Sequence, residues 1–96
     1  MKFEFHPEAE TELLAAIDYY ESLEAGLGED FATEVFGSIG NILSYPAAWP
    51  ILESEVHRCL VNRFPYGILY SIEPDHIFIL AVMNLHRHPD HWKSRQ

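Results

Sequence analysis

The stretch MNLHRHPDHWKSRQ (residues 83–96) holds three of the six histidines, His86, His88 and His91, with Asp90 among them. Histidine titrates nearest neutrality, so such a group has two obvious chemistries: metal ligation and proton transfer. Zinc needs three or four convergent ligands. Here all three histidines lie on one short segment and no distant fourth ligand is evident, so no metal is expected. The plainer reading is a set of surface polar residues at a strand end.

A second group mixes cations and aromatics in the last 40 residues: Arg58, Arg63, Tyr66, Tyr70, His86, Arg87, Trp92, Lys93 and Arg95. Arginine offers planar donors to phosphate or carboxylate, and aromatic faces can stack on bases. Other chemistries fall away sooner. No Gly-rich phosphate loop and no G-x-S-x-G elbow is present. Cys59 lies in the middle of an apolar stretch and reads as a small core hydrophobe. The carboxylates of the first helix read as a solvated face. No cofactor is expected.

The elements that must position these residues follow from patterning. Lys2 to His6 alternates, with Phe3 and Phe5 on one side, as in a short half-buried strand. Pro7 suits a helix's first position, and Glu8, Glu10 and Glu12 complement the dipole in the first turns. Ala9, Leu13, Ala16, Ile17 and Tyr20 then recur at helical spacing over 7–24. AGLG (25–28) breaks that helix, and a second one is expected from near Glu29 and Asp30 to Tyr45-Pro46. Its stripe is Phe31, Val35, Ile39, Ile42 and Leu43, widened by Phe36. Gly37 and Gly40 sit inside it, as if to let another element approach.

Residues 46–55 read as a proline-punctuated connection. Strands are then expected over 56–62, 66–73 and 76–85, with a tight turn at Pro74-Asp75. The last is apolar almost throughout, as in a central strand buried on both faces and stopped by Pro89. His86 and His88 share a face if the strand persists that far. The expected fold is α+β: an N-terminal strand, an antiparallel helical hairpin on a small antiparallel meander sheet, and a short C-terminal tail. Residues 1–96 make a single domain.

Charge and composition narrow the function class. Residues 1–55 hold 12 Asp/Glu against one Lys, and residues 56–96 hold five Lys/Arg against three acids, within a net charge of −9. Phosphate contacts need clustered cations, so direct specific DNA binding is not expected. No apolar run approaches the ~20 residues of a membrane helix, the N-terminus resembles no signal peptide, and a single cysteine excludes internal disulfides. The expectation is a small cytoplasmic domain without membrane attachment.

RCLVNRFPYGILYSIE (58–73), followed by IFILAVMNLHRHPDHWKSR (77–95), resembles the RelE/ParE superfamily of toxins from bacterial type II toxin–antitoxin modules. The opening FHPEAE-TEL-LAA, with its Tyr-Tyr-Glu, is similar to the ParE-type, plasmid-stabilisation branch. The likeness covers nearly the whole chain and implies the same helical hairpin against a small sheet.

The resemblance implies a cognate antitoxin as partner, with a homodimer or a toxin–antitoxin hetero-oligomer as the assembly. It leaves two mechanisms. ParE-like members poison DNA gyrase by binding, and RelE-like members cleave mRNA on the ribosome. Nucleolytic members place an arginine where this chain has Gly67. Arg87 matches a second active-site arginine, and His86, Arg87 and Arg63 form the catalytic set if the chain is a metal-independent RNase. The missing arginine and the acidic charge favour a toxin that acts by binding. The surface expected to meet target or antitoxin comprises Arg58, Arg63, Tyr66, Tyr70, Arg87, Trp92, Lys93 and Arg95. An inactive family member serving as a binding module is the remaining alternative.

Overall fold

The computed structural model describes residues 1–96 except Pro89. Its elements run β1 (Lys2–Phe5), α1 (Pro7–Leu23), α2 (Leu27–Ser44), β2 (Ile51–Glu53), β3 (Val56–Leu60), β4 (Tyr66–Ile72), β5 (His76–Asn84) and a final 3-10 turn, Lys93–Arg95. The strands form one sheet in the order β1-β5-β4-β3-β2. β1 joins parallel to β5, and the remaining pairs are antiparallel. The α+β hairpin-on-sheet architecture is as expected from the sequence. No helix among the described residues is long and apolar enough to cross a membrane.

The helical hairpin is set by local chemistry. Pro7 opens α1, and His6 Nδ1 accepts from the Glu8 N–H at 3.1 Å, a side-chain cap. At the other end the Glu21 carboxylate takes up the N–H groups of Gly26 and Gly28 at 2.9 and 3.0 Å. That capping starts α2 at Leu27, earlier than the Glu29 expected from its acidic first turn. Gly26 has φ +89°, a left-handed conformation open to glycine. Gly28 lies so close to α1 that an added Cβ would stand 2.5 Å from the Ile17 carbonyl oxygen.

One face of the sheet packs against the helices through Ala9, Leu13, Phe31, Val35, Ile39, Ile42, Cys59, Ile68, Tyr70, Ile77 and Ile79. Phe36 does not widen that stripe. It is 46% exposed and forms a T-shaped pair with the Phe5 ring. Gly37 and Gly40 admit no neighbouring element, since an added Cβ at either would meet nothing within 4 Å.

The opposite face carries a second cluster of Val56, Leu69, Leu80, Ala81 and Trp92. β5 is therefore buried on both sides, as its unbroken apolar run predicts. Opposite β4, Leu69 pairs with Ala81 while Tyr70 pairs with Ile79, so Leu80 is an extra residue in β5. This bulge turns Leu80 and Ala81 into the same cluster.

Two further corrections concern the connections. Residues 51–53 form an edge strand within what reads as loop, paired to β3 through a tight turn at Ser54 and Glu55, both at positive φ. β5 ends at Asn84, before the histidines, where Asn84 Oδ1 accepts from the His86 N–H at 2.8 Å. The stop assigned to Pro89 falls outside the described residues.

Candidate functional site

Three of the residues expected at a partner surface belong to the interior. Trp92 is 2% exposed and seals the second core cluster. Tyr70 is fully buried, donates its hydroxyl hydrogen to the Pro46 carbonyl and stacks on His57 at 5.1 Å. Burial, together with the neighbouring Cys59, pushes its hydroxyl pKa up to about 12.

Arg95 is the third, and its guanidinium grips Glu12 through Nη1 at 2.8 Å and Nη2 at 2.9 Å. β1 ends opposite Ile79, and past that point backbone groups of β5 find side-chain partners instead. The Leu80 carbonyl accepts from Arg95 Nη1 at 3.1 Å, and the Val82 N–H donates to Glu12 Oε1 at 3.1 Å. Burial opposes the charge of Glu12. Hydrogen bonds from Arg95, His91 and the Val82 amide outweigh that and hold its carboxyl below the usual range. The Trp92 and Arg95 of the terminal motif thus close the fold.

Glu12 had a signal in the sequence. It lies three residues after Ala9 and four before Ala16, inside the apolar stripe of α1, where a carboxylate requires a buried partner. His91 also turns inward, with Nε2 at 2.7 Å from Glu12 Oε2. His86 is exposed, and His88 Nδ1 accepts from the Asp90 N–H at 3.1 Å. The three histidines face different partners, and no group of three or more His, Cys, Asp or Glu side chains among the described residues could hold a metal ion.

The remaining residues separate into two places. Arg63 sits at φ +71° between β3 and β4, with Asp30 at 3.5 Å, Glu34 at 3.7 Å and its guanidinium over the Phe64 ring. Tyr66 is half-buried in an aromatic group with Tyr20 and Phe31. Arg58 lies elsewhere and lines, with Arg87, a cleft of about 470 Å³ on the sheet face opposite the helices, while Arg87 also borders a second cleft of about 480 Å³ with Tyr66, Tyr19 and Glu12. The walls of the first include Leu52, Gly67, Met83 and Leu85.

Gly67 is the hinge of this arrangement. An added Cβ there would stand 3.4 Å from Cγ and Cδ of Arg58, so the arginine stem crosses the bare backbone of β4. A neighbouring strand thus brings a cation to the position where β4 lacks one. Glu53, the one carboxylate among the described residues that line the cleft, is held by Lys93 at 3.0 Å, and Lys93 also meets Asp90 at 2.6 Å. Ion pairs hold Arg63, Lys93 and Arg95 but, among the described residues, neither Arg58 nor Arg87. The convergence of these two arginines was not legible in the sequence.

A structural comparison finds the same architecture in a chain of the chromosomal ParDE toxin–antitoxin system from P. aeruginosa. The TM-score is 0.74 at 18% identity, over 88% of this chain and 95% of that one. At that identity the likeness concerns the fold. No curated protein sequence matches the chain. A family model described as "ParE toxin of type II toxin-antitoxin system, parDE" matches residues 3–94, nearly the full length of the fold just described. The chain therefore belongs to the ParE toxin family of type II toxin–antitoxin systems.

Proposed function

We propose that this toxin acts by binding its target, with DNA gyrase as that target, and that a cognate antitoxin neutralises it by covering the binding surface. The observation that carries this reading is that, among the described residues, neither Arg63 nor the His86 side chain is assembled with Arg87 into an acid–base set. β4 offers Gly67 where a nucleolytic relative has an arginine; the Arg58 stem crosses that position from β3, but the carboxylate beside it among the described lining residues, Glu53, is engaged by Lys93. Arg63 is turned toward Asp30 and Glu34 of α2, away from the cleft that Arg87 lines. His86 is exposed, and among the described residues it hydrogen-bonds through its backbone N–H. Phosphodiester cleavage needs a base and positioned cations around one phosphate, and loss of one such electrostatic group typically lowers the rate by about 10²–10³. A binding role asks only for a complementary surface.

The test is to express the chain without an antitoxin and, after growth stops, map RNA 5′ ends and assay purified gyrase. Inhibited supercoiling with intact mRNA is expected. Cuts within translated codons that vanish in Arg87→Ala would instead establish ribosome-dependent cleavage and end this reading.

A further inference from the structure

We infer that the outer edge of β1 is a self-association surface, on which two copies of this chain join antiparallel as a twofold dimer with the axis at Phe3. The inference goes beyond the binding-toxin reading and does not depend on it.

The phase of the hydrogen bonds makes the first part of the argument. β1 is an edge of the sheet and has a neighbour on one side only, the parallel strand β5. The His6 N–H donates to the Ile79 carbonyl at 2.8 Å. Along a strand the backbone groups face one neighbour and then the other, residue by residue. Lys2, Glu4 and His6 therefore turn theirs toward β5, and Phe3 and Phe5 turn theirs outward. Among the described residues no turn, loop or side chain takes up the N–H of Phe3 or Phe5. Such an edge is a template for another strand.

Charge selects the occupant and the register. Identical chains close into a pair about a twofold axis, and an edge then meets itself antiparallel. Outward-facing residues must oppose one another, so within the strand the axis passes through Lys2, Phe3 or Glu4. Through Lys2 it sets two ammonium groups against each other, and through Glu4 two carboxylates. Like charges directly opposite destabilise a pair. Through Phe3, each Lys2 opposes Glu4 of the second copy, Phe3 opposes Phe3, and Met1 opposes Phe5. The stretch MKFEF is thus self-complementary about its central residue. Within one chain Glu4 has the His76 ring at 3.7 Å, and Lys2 has no ion pair among the described residues.

Apolar contact makes the third part. A short pair of strands is marginal on backbone bonds alone. Phe3 and Phe5 stand on the helix side of the sheet, against the core. Phe36 pairs with Phe5 yet is 46% exposed, and Met1 is 66% exposed. In the Phe3-centred register Met1 of the second copy comes to Phe5 and the Phe36 ring beside it, covering side chains that one chain leaves wet. The opposite edge suits a second copy less well, because β2 has three residues and an irregular register.

The test uses the full chain alone. Sedimentation equilibrium at concentrations up to about 1 mM, the weak end of specific association, should show monomer and dimer in exchange. The Phe3 amide should exchange with solvent more slowly as concentration rises, a readout that needs no substitution. Lys2→Glu and Glu4→Lys should each weaken the dimer about tenfold, since each sets like charges opposite at two symmetric places. The double variant should restore the wild-type dimer, because it only reverses the pairs. A monomer throughout, with a Phe3 amide whose exchange ignores concentration, would overturn the inference and leave the edge to a different occupant. A dimer indifferent to both single variants, or a double variant as weak as they are, would overturn it too. Gyrase inhibition is read separately, so none of these outcomes bears on the binding-toxin reading.

Discussion

Arg95 and Glu12, 83 residues apart in sequence, form a two-pronged ion pair that ties the last turn of the chain to the first helix. The pair is nearly closed to solvent, with the arginine side chain 5% and the carboxylate 19% exposed. It also supplies partners to the backbone of β5 at Leu80 and Val82. Removing Arg95 leaves the carboxylate with His91 and the Val82 amide but without its guanidinium, and removing Glu12 leaves the arginine with the Leu80 carbonyl and the longer contact to exposed Glu8.

Arg95→Leu or Glu12→Leu should each therefore lower the unfolding free energy by about 3–5 kcal/mol, the cost typical of stranding one partner of a buried pair. The double variant should recover part of that loss. Arg95→Lys should not restore the wild-type value, because an ammonium cannot reproduce the two-pronged geometry. Urea denaturation of the four proteins checks this. Equal stability in all of them would show the pair to be incidental.

The same carboxylate makes a pH prediction. Its folded-state pKa lies below the ordinary glutamate value of 4.5, so between the two values the unfolded chain binds the proton and the folded chain does not. Stability from this group is complete above the ordinary value and is lost as pH falls through the lowered one. Urea midpoints of wild type and Glu12→Gln, measured from pH 7 to pH 3, should differ by a constant amount at the upper end. The difference should shrink below about pH 4. A difference that grows on acidification would contradict the assignment.

Three glycines should respond to alanine with opposite signs. At Gly37 and Gly40 the added methyl meets open space, and helix propensity should raise stability by about 1 kcal/mol each. At Gly28 it would press on the Ile17 carbonyl at 2.5 Å, and on Glu21, whose carboxylate caps α2. A loss of about 1–3 kcal/mol is expected there from overpacking. Thermal denaturation of the three single variants decides it.

Arg63 and Arg87 should be separable by stability. Arg87 is exposed and free of ion pairs among the described residues, so Arg87→Ala should stay within about 0.5 kcal/mol of wild type. Arg63 holds a left-handed backbone at φ +71° with half-exposed, long ion pairs and the face of the Phe64 ring in return. Relief of the backbone should make Arg63→Gly as stable as wild type or up to about 1 kcal/mol more stable. A marked loss in Arg63→Gly would show that its pairs with Asp30 and Glu34 matter more than the strain.

Much of the architecture was written locally. The alternation at Phe3 and Phe5, the proline start of α1, the 3.6-residue stripes and the unbroken apolar run of β5 each reflect contacts between near neighbours and one buried face. Such patterns survive without knowledge of the partner. The N-terminal strand, the helical hairpin and three of the strands were therefore legible from residues alone, as was the family to which they belong.

The fates of individual polar residues were not. Trp92 and Arg95 look like exposed recognition groups in a charged tail, yet Trp92 packs with Val56, Leu69, Leu80 and Ala81, and Arg95 turns inward onto Glu12. Ile51–Glu53 is too short and too near prolines to announce a strand until β3 offers its edge. The placing of Arg58 and Arg87 along one cleft depends on strand order, which sets β4, with Gly67, between β3 and the end of β5. A residue's periodicity says which way its own element faces. Which charge it meets is set by chain segments tens of residues away, and that was decided only when the sheet closed.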